Sequence, residues 1–488
     1  MRKILLVSFL FPLLTLAACS SNGIPRSPDD IPATKLDFSP VEPVEWTMSN
    51  GIKVLYIHDD ELPLIRGVAV FRGGSLQEAP GQEGLAAITG SQMREGATQD
   101  FSPEELDELL DNLGASIESS FGSEWGSVSF SSLSDDLDQV LTIYAEVIRR
   151  PAFDSSRLAL AKHLVAQEIV RRRDDPGTMA SMSFASMVYG PNSPYSQSAT
   201  MKSIASISRG DMQAFHKRFV HPQNTIIAAA GSIPIEELKR QLESKFGDWT
   251  RSDKFVPPVL PEVGDSLKPG VYVLPREFEQ ATIMIGHRGP VRLGPEHYQL
   301  ALYNRIFGHG GFSSVLFKEV RSKRGLAYSV WGGFYPGAKS GVFEIDSGTR
   351  VTQALETIKT ILDLVEKSRE EQFTKDQIED AVIGEGRRFV FNFETSRETV
   401  GRRAWLDVMD YPRDYDQKFL SRLGEVKADE ILNFAKDNID LDNLVIVIVG
   451  DISPQEVAKF FDGKRPVYQL DFDTEPHLVG PVRTASVM

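Results

Sequence analysis

From Trp46 to about Trp249, apolar residues recur in two rhythms, every second position and every third or fourth, which predicts strands alternating with helices. Ile52–Ile57 and Ile65–Phe71 read as strands separated by the polar turn Asp59-Asp60-Glu61. Pro103–Leu113 carries a helical stripe, with Ser102 placed to cap its start and Glu105 to complete a capping box. Ser116–Leu133 gives two period-two runs joined near Gly122, a hairpin signal. Helices over Leu137–Arg149 and Arg157–Arg173 follow, the second stopped by Asp174-Asp175-Pro176. The unbroken apolar run of Asn224–Gly231 predicts a buried strand, and Ile235–Phe246 a closing helix.

The plan then repeats. Val271–Pro275 and Thr282–His287 correspond to the first two strands. Asn443–Gly450, followed by Ile452-Ser453-Pro454 and a helix, matches Asn224–Gly231 followed by Ser232-Ile233-Pro234 and a helix. A spacing of roughly 220 residues marks a duplicated domain, not a solenoid. Between the halves, Arg251–Gly270 holds Pro257, Pro258, Pro261 and Pro269 and reads as a linker. The expected organisation is one domain over 44–250, the linker over 251–270, a second domain over 271–470 and a tail over 471–488. The fold class is α+β: each half has a mixed, largely antiparallel sheet with helices packed on one side, and the linker joins the halves into a clamshell.

Composition narrows the function. The 488 residues are 41% hydrophobic and 25% charged, ordinary globular proportions that leave no case for a disordered or fibrous chain. The formal charge of −15 argues against nucleic acid as a partner, since phosphate binding needs a basic surface. A single cysteine excludes a disulfide framework and any Cys-rich zinc module. That cysteine closes a segment with Arg2 and Lys3 at its start, an apolar run from Ile4 to Leu16, and Leu16-Ala17-Ala18-Cys19 at its end. The run is shorter than the roughly 20 residues of a spanning helix. It resembles a bacterial lipoprotein signal, which implies a leader over 1–18, cleavage before Cys19 and acylation of Cys19. The plain alternative is an ordinary signal peptide that contains a cysteine. Ser20, in place of Asp, points to the outer membrane facing the periplasm. Loss of Arg2 and Lys3 takes the charge of the mature chain from −15 to −17. Residues 19–43, with Pro25, Pro28, Pro32, Pro40 and Pro43, read as an extended tether, so contact with membrane is expected through the lipid only.

Gly73-Gly74-Ser75, Glu78, Gly84-Leu85-Ala86 and Glu95-Gly96-Ala97-Thr98, with the helix over 157–176 and the stretch over 310–330, resemble the insulinase/pitrilysin-like (inverzincin) metallopeptidases over about 46–465. The family's zinc motif is H-x-x-E-H on a helix, two imidazoles on one face holding the metal and a glutamate serving as general base. The aligned stretch here is Gly84-Leu85-Ala86-Ala87-Ile88-Thr89-Gly90-Ser91, so Ala87 and Ser91 stand at the histidine positions and Gly90 at the glutamate. The remaining ligand position falls at Glu168, on the Ala161, Leu164, Val165 stripe, where it is expected to point inward. The closest histidines, His216 and His221, are five residues apart and outside this stretch.

The second half keeps what the first has lost. The resemblance implies that Arg321 and Tyr328, seven residues apart, contact substrate across the clamshell, with Gly310 and Gly311 letting backbone approach closely. A guanidinium donates forked hydrogen bonds to carbonyls, and a phenol can stabilise an oxyanion. Val315 departs from the family, in which many members carry Arg. Bacterial relatives of this kind work as two chains, one with zinc and one with the Arg/Tyr pair. The implied function is therefore a chain not catalytic alone, binding no cofactor, that completes the site of a zinc-bearing paralogous subunit acting on unfolded peptides. A homodimer serving as a peptide-binding or assembly scaffold of the envelope is the alternative, and an independent enzyme with an unorthodox metal site a third.

Overall fold

The computed structural model describes residues 38–264 and 267–482; Cys19, the leader and most of the tether lie outside them. No helix among the described residues is long and apolar enough to cross a membrane.

Strands β1 (Val44–Thr47), β2 (Lys53–His58), β3 (Leu64–Arg72), β4 (Ser116–Phe121), β5 (Trp125–Leu133) and β6 (Thr225–Gly231) form one sheet in the order β1-β2-β6-β3-β5-β4. The second sheet comprises β7 (Gly270–Pro275), β8 (Gln280–Gly289), β9 (Ala327–Tyr335), β10 (Gly341–Arg350), β11 (Val445–Gly450), β12 (Val467–Phe472) and β13 (Pro476–Pro481). Its order is β13-β12-β7-β11-β8-β10-β9, so β7-β11-β8-β10-β9 repeats β2-β6-β3-β5-β4 strand for strand. Pairing is antiparallel except for β2–β6, β7–β11 and β7–β12. The apolar runs of β6 and β11 become the middle of each sheet, where both faces need cover.

Helices α1 (Leu85–Glu95), α2 (Pro103–Asn112), α3 (Leu137–Arg149), α4 (Ser155–Arg171) and α5 (Pro176–Tyr189) lie in the first half. The capping box of α2 forms as its sequence predicts, Ser102 Oγ accepting the Glu105 N–H and Glu105 accepting the Ser102 N–H. One face of the first sheet, with Val54, Ala69 and Phe71, builds a core with Ile88 of α1 and Val140 and Tyr144 of α3. The second sheet repeats this with Ile283, Ile285 and Ile446 against Tyr303, Ile358 and Phe434.

The other faces correct the expectation of helices on one side only. Met179, Ala180, Phe184, Met187 and Val188 of α5, a first-half helix, pack on Met284, Val445, Val447 and Val449 of the second sheet. Reciprocally, Val400, Ala404 and Val408 of the helix Ser396–Val408 cover Leu55, Ile57, Val70, Ala228 and Ala230 of the first sheet. Each half of the clamshell thus carries the cover of the other. Ion pairs border the exchange: Arg292–Glu124 at 2.7 Å, Arg72–Asp410 at 2.6 Å and Lys53–Asp407 at 2.7 Å. Phe38 sits against Phe389 and Phe393 of the second half before the chain turns into β1 of the first sheet.

Candidate functional site

The zinc-motif positions lie on α1, packed under the edge strand β4. The Glu78 carboxylate fixes the start of this helix by accepting the N–H groups of Ala86 (2.6 Å) and Gly84 (3.2 Å). Burial pushes the Glu78 carboxyl up to about 7, against the opposing pull of those two hydrogen bonds. Ala87 is exposed and Ser91 half-buried one turn later, so the two histidine positions do share an accessible face. Gly90 is buried, and a β-carbon there would overlap the amide nitrogen of Phe121 and the carbonyl carbon of Ser120. Ser119 closes this seam: its Oγ donates to the Gly90 carbonyl (2.6 Å) and accepts the Arg94 N–H (3.1 Å).

Glu168 departs from expectation. It is exposed on α4, as is Leu164, because α4 turns the Leu158, Ala161 and Ile169 side to the core instead. Its charge acts on Arg172, whose guanidinium donates to the Ala199 carbonyl at 2.7 Å. A zinc ion does not fit the residues present. A methyl group, a hydrogen and a hydroxyl stand where the chemistry needs two imidazoles and a carboxylate, and the Ser91 hydroxyl already donates to the Ile88 carbonyl. Nor do three His, Cys, Asp or Glu side chains gather elsewhere among the described residues in a way that would hold a metal. His216 is half-buried, its Nε2 on the Ile148 carbonyl at 2.7 Å, and loss of solvation holds it at about 4, as a neutral imidazole.

The Arg/Tyr positions occupy the equivalent corner of the second half, beside its edge strand β9. Two π-helical segments, Arg305–His309 and Phe317–Lys323, flank the glycine turn; such turns recur at functional sites. Gly310 is required because a β-carbon there would strike the Arg305 carbonyl, and Gly311 because its φ of +59° is left-handed. The Asn304 side chain mimics a strand, donating to the Phe334 carbonyl and accepting its N–H, both at 2.7 Å. Gly308 rests on the Gly332 carbonyl as Gly90 rests on β4. Both halves therefore close a helix over an edge strand through a glycine.

Arg321 is exposed, its guanidinium 4.8 Å from the Phe317 ring centre, and Phe312, 80% exposed, meets Phe317 edge-on. Tyr328 lies in a β-bulge, skipped in the register between the pairs Gly348–Ser329 and Thr349–Ala327. The bulge aims its ring outward, half exposed. The structure places Arg321 and Tyr328 at one corner, joined by the Gly325 N–H on the Arg321 carbonyl and the Leu326 N–H on the Val320 carbonyl. Val315 is half-buried against the second-half core.

Sequence reading missed Arg350, whose Nε donates to the Tyr328 phenol oxygen at 3.1 Å. It also missed the exposed Trp331 farther along β9. Both follow once the β9–β10 hairpin is recognised, because its register brings the end of β10 beside the start of β9.

Comparison with known proteins bears on the family and the fold. Residues 54–189 match the family model described as "Insulinase (Peptidase family M16)", and residues 206–384 the model described as "Peptidase M16 inactive domain". Among relatives, an "Uncharacterized zinc protease" of Rickettsia bellii is 27% identical over 68% of this chain and 80% of its own length. One from Streptomyces coelicolor is 23% identical over 85% of this chain and 91% of its own. The crystal structure of a peptidase M16 inactive domain from Pseudomonas fluorescens superposes with a TM-score of 0.77 at 25% identity, covering 85% of this chain and 98% of that one. A protease from Helicobacter pylori shares the fold with a TM-score of 0.76 at 19% identity, over 85% and 100% of the two chains.

Proposed function

The chain belongs to the insulinase (M16) peptidase family as a non-catalytic member, and we propose that it is the substrate-binding chain of a two-chain zinc peptidase. Zinc and the general base come from a paralogous partner with an intact H-x-x-E-H. This chain contributes Arg321 and Tyr328 to the peptide held at the partner's metal. Attached through Cys19 to the outer membrane and facing the periplasm, the pair acts on unfolded peptides of the envelope.

One observation supports the reading above the rest: the edge-strand corner of the first half lacks both imidazoles and the general base, and that of the second half keeps its guanidinium and phenol exposed. An enzyme drifting into a mere scaffold has no reason to keep an outward Tyr328 in a bulge. The test is cleavage of an unfolded peptide by this chain, by the zinc-bearing paralogue, and by the two mixed. Only the mixture is expected to be fully active, and Arg321→Ala with Tyr328→Phe is expected to lower its kcat/KM by about 100-fold, the order reported for losing a transition-state donor. Undiminished activity of that mixture would instead favour a scaffold role.

A further inference from the structure

Tyr328 and Arg350 are held as a unit, and its unused groups point to a ligand. The Arg350 Nε is committed to the phenol oxygen at 3.1 Å, with the guanidinium 5.9 Å from the ring centre. This leaves the phenol O–H and the terminal guanidinium N–H groups as free donors. Among the described residues no carboxylate pairs with Arg350, Arg321 or Arg324, whereas Lys323 is satisfied by Glu319 at 2.6 Å. Exposed arginines without a carboxylate partner, Arg321, Arg324 and Arg350, thus mark this corner, on a chain whose formal charge is −15.

We propose that Tyr328 and Arg350 form a carboxylate-binding subsite that selects peptides bearing an acidic group. One carboxylate oxygen accepts the phenol O–H and the other a terminal guanidinium N–H, a charge-assisted arrangement suited to the planar fork of arginine. Arg321 and Arg324, in the turn leading to Tyr328, add an attractive field. The proposal rests on this corner contacting peptide and adds the class of peptide it prefers.

The experiment is fluorescence anisotropy of the full chain with an unstructured fluorescein-labelled peptide of mixed sequence. Four versions are compared: one internal Glu or its Gln counterpart, each with a free or amidated C-terminus. The Glu peptide is expected to bind about tenfold more tightly than the Gln peptide, with the difference shrinking at high salt. Arg350→Gln should erase that difference while leaving the melting temperature unchanged, and Arg350→Lys should restore part of it. If C-terminal amidation decides affinity instead, the subsite stands and its ligand is a chain terminus. Equal binding of all four peptides, or discrimination that survives Arg350→Gln, would overturn the subsite alone. Failure of every peptide to bind would overturn the peptide-contacting corner together with it.

Discussion

Restoring the zinc motif is a question of space as well as of chemistry. Ala87 and Ser91 face outward, so Ala87→His with Ser91→His should change stability by only about 0.5 kcal/mol. Gly90→Glu is expected to cost about 3 kcal/mol, since its side chain must force α1 away from the β4 backbone that Ser119 ties to it. Urea unfolding of the single and double variants separates the two cases. At this scale the sequence announced the loss of chemistry, because residue identity at 87, 90 and 91 suffices for that. The closed seam was not legible, because it depends on the distance between a helix and a strand some thirty residues on. Glu168 misled for a related reason: a stripe of Ala161, Leu164 and Val165 fits two helix orientations, and packing against α1 selected the one that leaves Glu168 in water.

Among elements, the paired hairpins matter most. In β10, Glu344 and Asp346 point to the second face of the sheet, Asp346 opposite Trp331 on β9 and Met284 on β8. Burial and then the charge of Asp346 push Glu344 up to about 7, and burial pushes Asp346 up to about 6. Glu78 shifts the same way. The folded chain therefore holds protons that the unfolded chain releases near the ordinary values of 4.5 and 3.8. The contribution of these three carboxyls to stability is fullest below that range and falls as pH rises from about 4 to about 7, while His216, held neutral by burial, contributes in the opposite sense. The urea midpoint of the Glu344→Gln variant, measured against that of the unaltered chain, should therefore rise across this window, and a difference that does not change with pH would contradict the shift. Strand periodicity and the capping box of α2 were readable because they are local. The β9–β10 hairpin was not: its Gly332 and Gly333 and its bulge at Tyr328 break the alternation that announces a strand.

Across the whole molecule, the duplication was visible from the repeated strand-and-helix endings, yet the exchange of covers was not. The helix α5 has an apolar surface in either arrangement, and no local pattern says whose sheet it serves. The exchange predicts that the two halves melt together. Phe184→Ala, a first-half substitution against the second sheet, should cost about 3 kcal/mol and lower a single cooperative transition for both halves. Glu124→Ala, which leaves the largely buried Arg292 unpaired across the halves, should cost about 3 kcal/mol in the same transition. Calorimetry of each variant checks this, and two separated transitions would contradict it.

The exchanged helices also carry a statement about descent. One half alone, with its own cover helix turned outward, leaves a bare apolar sheet face and a bare apolar helix. Both are satisfied at once when a second copy docks by a twofold rotation, each lending its helix to the other. The present chain has the form of such a swapped dimer written as one polypeptide. Because each half covers the other's sheet, the half whose corner lacks its chemistry stays indispensable to the fold of the half that keeps it.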